Sequence, residues 1–451
     1  MKKILVFGAG LVSPPLIEYL LAVPDFSLLV AALNEGDARK VIKDHPRGRV
    51  VPIDVHDARA VDRLVGDADV VVSLLPFVLN PRIARAAIDN RKPMINTSYV
   101  SPEMAALDEE ARRAGVLILC EIGLDPGIDH MSAVQVIQRV KAGGGKVTHF
   151  SSCCGGLPAI ESNTNPWGYK FSWSPRGVVL AGRNPARYLR DGNLVEIPGE
   201  DLFSHAWPYA VENAPGPFEI YPNRDSLGYV EKYGLNGIGN MFRGTIRYLG
   251  WCRTMRAAAR LGLLETDVRS WPSGSRFLDV TMHRVPHGAG ENVARLADFI
   301  HEEADGEVMA RLEWAGLLSD RQIVETSFAP VDFFANRLLG LMAYKPGERD
   351  LVVLRHEISA KYDTGLREQV TATLVDRGIP YGHSSMARTV SLPAAIATRL
   401  IAQGNLDLVG VHVPILREIY GPVLAELSHL GITVRETRRA FFPGPFDAPK
   451  P

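Results

Sequence analysis

Residues 2–15 read KKILVFGAGLVSPP. A short apolar run ends on two glycines, and LVSPPLIEYLLAV then carries its apolar residues at helical spacing. Strand, glycine turn and helix in that order open a nucleotide-binding α/β unit. Gly8-Ala9-Gly10 falls where the amides of a helix N-terminus hold a pyrophosphate. The motif departs from GxGxxG, because Ser13 takes the place of the third glycine and Pro14-Pro15 follow. The opening MKKILVFGAG also imitates a secretory leader, with two lysines ahead of an apolar run. That run is short, breaks at Gly8 and Gly10 and then meets the prolines. A buried strand is the better reading.

Working outward, FSLLVAAL (26–33) reads as a second strand, and more follow at 50–55, 68–76, 93–99 and 116–123, with helical stretches between most of them. Strands alternating with helices specify a Rossmann-like, doubly wound parallel sheet. An acidic residue after the second strand favours NAD, whereas arginine there favours NADP. The chain offers Glu35 for NAD and Arg39 with Lys40 for NADP, so NAD and NADP both stay open.

After Gly143-Gly144-Gly145 the periodicity changes. Strands are expected at 146–158, 275–285, 350–358 and 367–375, and helices at about 248–263, 291–317 and 329–343. These predict a second α/β domain with a mixed sheet and a small helical insertion at about 245–345, the region that would carry the substrate. The expected boundaries are 1–127 for the nucleotide domain and 128–389 for the substrate domain. The tail FFPGPFDAPK (441–450) is Pro-rich and expected to be irregular.

Composition narrows the function classes. Lys plus Arg (50) balance Asp plus Glu (51), which argues against a nucleic-acid footprint or an acidic membrane partner. No stretch approaches the ~20 apolar residues of a spanning helix. The four cysteines, 120, 153, 154 and 252, have no metal spacing, and no metal is expected. A cytoplasmic protein is the expectation.

EIGLDPGIDH (121–130) is the second informative stretch. Asp-Pro-Gly is a turn signal, since proline fixes φ and glycine accepts positive φ. Asp129 suits a cap for the helix expected over the next dozen residues. Asp125 or His130 at such a turn is also placed to face a substrate, with His130 more often a packing or capping residue.

With these strings in hand, the chain resembles the saccharopine reductase family, the glutamate-forming saccharopine dehydrogenases that also occur as one domain of a bifunctional lysine-degrading enzyme. The resemblance runs through GAGLVSPP (8–15), VVSLLPF (71–77), NTSYVSP (96–102), EIGLDPGIDH, CCGGLPA (153–159), NPWGYKFSWSPRGV (165–178), YPNRDS (221–226), RGTIRY (243–248), GERDLVV (347–353) and GHSSMA (382–387). It implies an NAD(P)-dependent oxidoreductase of lysine metabolism, with NADP slightly favoured. Glutamate and 2-aminoadipate 6-semialdehyde would condense to an imine that hydride reduces to saccharopine. A carboxyspermidine-type dehydrogenase and a non-catalytic nucleotide-sensing homologue are the alternatives, and a homodimer is left open.

By position the resemblance implies a cofactor site at Gly8, Gly10, Leu11, Val12, Asn34, Asp54, Val55, Ser73, Leu75, Thr97, Ser98, Leu124 and Ser174. It implies substrate contacts at Ser98, Tyr99, Asp125, Arg224, Thr245, Ile246 and Arg247. Arginine suits a substrate with several carboxylates, because its fork binds them bidentately. Lys170 and Arg176 are second-rank candidates. Candidates for imine protonation and water loss are Tyr99, Asp125 and Cys154. Two departures stand out: Leu33 where fungal members usually carry Arg, and Cys153 where tyrosine is common. The C-terminal part is expected to return to the nucleotide domain over about 390–445.

Overall fold

The computed structural model describes residues 1–442. Its contacts separate two compact units, Met1–Val147 with the chain from Ser359 onward, and Thr148–Ile358.

The first unit starts as six strands interleaved with helices. The strands are β1 (Lys2–Phe7), β2 (Phe26–Ala32), β3 (Gly48–Pro52), β4 (Val70–Ser73), β5 (Met94–Asn96) and β6 (Leu117–Leu119). The helices are α1 (Pro14–Ala22), α2 (Glu35–Ile42), α3 (Ala58–Gly66), α4 (Asn80–Asp89), α5 (Pro102–Ala105), α6 (Asp108–Ala114) and α7 (Ile128–Ala142). Every pairing among these strands is parallel, in the order β6-β5-β4-β1-β2-β3. β1 and β4 are buried apolar runs, as strands covered on both faces must be. Proline at the start of α1 forfeits only an N–H that has no helical partner.

The second unit starts within β7 (Lys146–Pro158). β8 (Ala186–Arg190), β9 (Asn193–Ile197), β10 (Trp207–Tyr209), β11 (Phe218–Pro222) and β12 (Asn240–Tyr248) follow, with the short helices α8 (Pro175–Leu180) and α9 (Gly228–Lys232) among them. The helical insertion holds α10 (Trp251–Arg260), α11 (Phe277–Thr281), α12 (Asn292–Ile300), α13 (Glu307–Trp314) and α14 (Pro330–Leu341), plus the two-residue strands β13 (Arg269–Ser270) and β14 (Ser327–Phe328). The sheet runs β10-β11-β12-β7-β15, where β15 is Asp350–Lys361, and it is mixed: β12 is parallel to β7 and antiparallel to β11.

One expectation fails here. Within 275–285 the chain forms a short helix, Phe277–Thr281, followed by a turn, not a strand. Phe277, Leu278, Val280 and Thr281 are the buried positions, a 3.6-residue period, and Asp279 accepts from the Arg276 amide at 2.8 Å to close the first turn.

β16 (Arg367–Arg377), α15 (Ser385–Ala402), β17 (Gly410–His412), α16 (Arg417–His429) and β18 (Arg435–Phe441) belong to the first unit. β17 extends the parallel sheet beside β6, and β18 pairs antiparallel with β16. α15 packs on α1, where Arg399 Nε donates to Tyr19 Oη at 2.8 Å, and α16 meets α7 through Tyr420 Oη and Gln138 at 2.6 Å. That packing keeps α7 in the nucleotide unit, although 128 was the expected start of the substrate domain. The Pro-rich tail lies, from residue 443, outside the described residues. No helix among the described residues is long and apolar enough to cross a membrane.

Candidate functional site

The candidates fall into three groups, two in the first unit and one in the second. The nucleotide turn comes first. Gly8 has φ +101°, and an added Cβ would lie 3.2 Å from the Leu74 carbonyl at the end of β4. Gly10 faces the opposite circumstance: among the described residues, its chain neighbours aside, no atom lies within 4 Å of where its Cβ would be. Ser13, the departure from the glycine pattern, is buried and bonds the Gly10 carbonyl twice, through N (3.0 Å) and Oγ (2.9 Å). A hydroxyl thus closes the turn. Leu11 is exposed and Val12 half-buried beside it.

Parallel register brings the other nucleotide candidates to one sheet edge. Phe7 pairs with Ser73, Ser73 with Asn96, and Ala32 with Pro52. Leu75, Thr97 and Ser98, Asn34, and Asp54 with Val55 therefore all follow carboxyl ends of neighbouring strands, where ligands of such sheets bind. Ser73 itself is buried and donates to Asn80 at 2.7 Å. Asn34 caps α2 by accepting from the Gly36 amide at 3.0 Å, and Asp54 accepts from the His56 amide at 2.9 Å. Leu33 is 83 % exposed. The acid and base that disagreed over the cofactor are partners: Glu35 pairs with Arg39 one helical turn on, while Lys40 pairs with Asp37.

EIGLDPGIDH forms the turn expected of it, around a cis Asp125–Pro126 peptide. A side chain at Gly127 (φ +146°) would overlap Gly123, whose amide donates to the Pro126 carbonyl at 2.9 Å. Leu124 is buried, and its carbonyl accepts from the Asp129 amide. Asp129 sits inside the first turn of α7 rather than capping it, and accepts from Gly127 N (2.6 Å) and His130 N (2.8 Å). Two of the three acid–base candidates meet here, since Tyr99 Oη donates to Asp125 Oδ1 at 2.6 Å. His130 is fully buried, 2.6 Å from the Glu121 carboxylate. Glu121 attracted no attention in the sequence. Its signal is local, an acid beside a turn where apolar residues are otherwise the rule.

The third group lies in the second unit. Register sets Cys154 of β7, Thr245 of β12 and Tyr221 of β11 side by side across three strands, and so on one face of the sheet. Thr245 is also a hydrogen-bond partner of the Tyr221 phenol, whose pKa burial raises. Arg247, two residues on, shares that face, while Ile246 points its side chain to the other and abuts Gly155. Arg247 is 5 % exposed, its guanidinium 5.1 Å from the ring centre of Tyr169 and 5.9 Å from that of Trp251. Nη1 donates to the Ile246 carbonyl at 2.8 Å, and Nε has no hydrogen-bond partner among the described residues. Its register partner Glu219 instead accepts from the Cys252 amide at 2.7 Å. No carboxylate among the described residues pairs with Arg247. A buried cation without a counter-ion is costly unless a ligand supplies one.

The remaining candidates have other surroundings. Arg224 is exposed in the turn after β11 with φ +54°. Lys170 is buried against both oxygens of Glu348 at 2.6 Å, and Arg176 pairs with Asp332 at 2.7 Å, so each already has a carboxylate. Ser174 caps α8 by accepting from the Gly177 amide at 3.2 Å.

A parallel sheet with a glycine turn at its first strand has the architecture of a dinucleotide-binding protein. Residues 4–119 match the saccharopine dehydrogenase NADP binding domain, and residues 123–432 the saccharopine dehydrogenase C-terminal domain. The chain belongs to the saccharopine dehydrogenase family. It is 36% identical to the NADP(+)-dependent, L-glutamate-forming saccharopine dehydrogenase of Schizosaccharomyces pombe, over 97% of this chain and 99% of that protein. Identity to the Saccharomyces cerevisiae protein of the same name is 37%, over 96% of this chain and 99% of that one. The solved structure of apo saccharopine dehydrogenase (L-Glu forming) from Saccharomyces cerevisiae superposes with a TM-score of 0.87, covering 97% of this chain and 100% of that one.

Proposed function

We propose that the chain is an NADP-dependent, L-glutamate-forming saccharopine dehydrogenase, interconverting saccharopine with glutamate and 2-aminoadipate 6-semialdehyde. The carrying observation is Arg247, a buried guanidinium with no carboxylate partner among the described residues, in a chain aligned over nearly its whole length with enzymes of that name. The nucleotide turn fits the cofactor: the open space at Gly10 admits a pyrophosphate to the α1 N-terminus, and Gly8 admits β4. When bound, the nicotinamide supplies or accepts the hydride.

The chain's own residues do the rest. Arg247 holds a substrate carboxylate, with Thr245 on the same face and Arg224 as a second, exposed clamp. Cys154 lines that face beside Thr245 as a weak donor. Within the first unit, Asp125 accepts from Tyr99 at 2.6 Å, a carboxylate–phenol pair suited to moving a proton at an amine nitrogen. A dehydrogenase for a cationic polyamine would set like charges against Arg247, so this geometry favours the amino-acid substrate. The reading includes a cytoplasmic enzyme and leaves a homodimer to light scattering.

The test follows NADPH and NADH oxidation with glutamate plus the semialdehyde, beside a panel of other amine–aldehyde pairs. Turnover with that pair and preference for NADPH are expected. Equal or faster turnover of a polyamine pair overturns the reading.

A further inference from the structure

We infer that Glu121 and His130 are a positioning pair that sets the Tyr99–Asp125 hydrogen bond. The inference rests on the proposed role of Tyr99 and Asp125 at the substrate nitrogen. It starts from an anomaly. Glu121 is 1 % exposed, and its backbone has φ +58°, a region a non-glycine residue enters at a cost. A buried carboxylate in a strained conformation persists only if the surroundings hold it there.

What holds it also holds the proton-handling groups. Glu121 N donates to the Ser98 carbonyl at 3.1 Å, and Glu121 Oε1 accepts from the Val100 amide at 3.0 Å. One residue thereby grips the backbone on both sides of Tyr99. Its other oxygen, Oε2, meets His130 Nε2 at 2.6 Å on the first turn of α7. The next residue back, Asp129, fastens Gly127 N and His130 N, and so fixes the turn that carries Asp125. The circuit closes where Tyr99 Oη reaches Asp125 Oδ1. Each end of the catalytic hydrogen bond is therefore fixed to one side of the Glu121–His130 contact. Loss of that contact frees both ends together, and the separation and angle of phenol and carboxylate are no longer set.

The experiment compares full-length wild type with Glu121→Ala, Glu121→Gln, His130→Asn, Asp125→Asn and the Glu121→Ala/Asp125→Asn double variant, each with saccharopine and NADP. A misplaced catalytic group costs on the order of a hundredfold, so that loss is expected in kcat for Glu121→Ala, with NADPH affinity unchanged. The pH profile of kcat/KM should be displaced in Glu121→Ala and His130→Asn. Glu121→Gln, of the same length and still able to accept from Val100 N, should restore most of kcat. The double variant should be no slower than Asp125→Asn alone. A folded Glu121→Ala with wild-type kcat and pH profile, or losses that multiply in the double variant, overturns the inference. If Glu121→Ala does not fold, a folded His130→Asn with a wild-type pH profile overturns it equally. An inactive wild type is a different result, and overturns the functional reading instead.

Discussion

At Gly10 an added Cβ has no atom of the described residues beyond its chain neighbours within 4 Å, so valine there is expected to change what the turn can receive rather than how it folds. Gly10→Val should keep its thermal stability and lose nucleotide affinity, read by fluorescence titration; unchanged affinity in the folded variant contradicts the cofactor site. Arg247 sets the same kind of question at the substrate. Its charge lies buried among Tyr169, Trp251 and the Ile246 carbonyl, with Nε unpartnered. Methionine would keep the apolar stem and the contact with the aromatic rings while removing the uncompensated charge. Arg247→Met should therefore match or exceed the wild-type melting temperature. A charge-assisted hydrogen bond contributes roughly 1.5–3 kcal/mol, so KM for saccharopine should rise at least tenfold. A stable variant with unchanged KM would remove Arg247 from the site, and a strongly destabilised one would make its role structural.

Elements differ in how much of them the sequence could convey. β1, β2 and β4 were legible as short apolar runs because a parallel strand covered on both faces needs no alternation. The segment 275–285 misled because FLDVTMHRV alternates well enough for a strand, while the Asp279 bond that closes its helical turn depends on local geometry. The turn at 121–130 was legible from Asp-Pro-Gly, and with it the interest of Asp125. Its meeting with Tyr99 was not, because it joins residues 26 apart across two loops. The row Cys154–Thr245–Tyr221 is a matter of register between non-consecutive strands, which spacing within any one strand leaves open. Lys170 shows the converse: it looked like a candidate ligand and is a buried tie to Glu348, in the turn ahead of β15. For Glu348, burial raises the pKa, but hydrogen bonding to Lys170 and to the Lys345 amide outweighs it and holds the folded carboxyl below the usual carboxylate range. A depressed folded pKa contributes stability above the unfolded value and loses it as pH falls through the folded value. Unfolding followed between pH 6 and 3 should therefore steepen below about 4.5 in wild type. Glu348→Gln, which cannot titrate, should be less stable at pH 6 and show a shallower acid limb. Parallel curves for the two proteins would mean that the pair carries no pH-linked stability.

For the whole molecule, the chain leaves the nucleotide unit near Val147 and returns at Ser359, so that unit is discontinuous in sequence. What returns is part of its core. α15 buries Met386, Leu392, Ile396 and Leu400, and it packs against α1, which carries its own buried Leu16, Ile17 and Leu20. Each such side chain contributes about 1.5–3 kcal/mol when removed from water, so four of them approach the 5–15 kcal/mol that holds a whole domain folded. The return also supplies β17, without which β6 is an open sheet edge, and the Arg399–Tyr19 and Tyr420–Gln138 hydrogen bonds. The glycine turn is complete within the first 147 residues, yet α1, the helix that turn feeds, is seated by α15. A fragment of residues 1–147 should therefore be soluble only poorly, lack cooperative thermal unfolding and fail to bind NADPH, despite containing every residue assigned to the turn. Co-expression with residues 359–442 should restore both properties in the paired fragments. Circular dichroism and nucleotide titration decide it: a 1–147 fragment that melts cooperatively and binds NADPH alone would show that the returning segment is a covering, not a part of the core that positions the site.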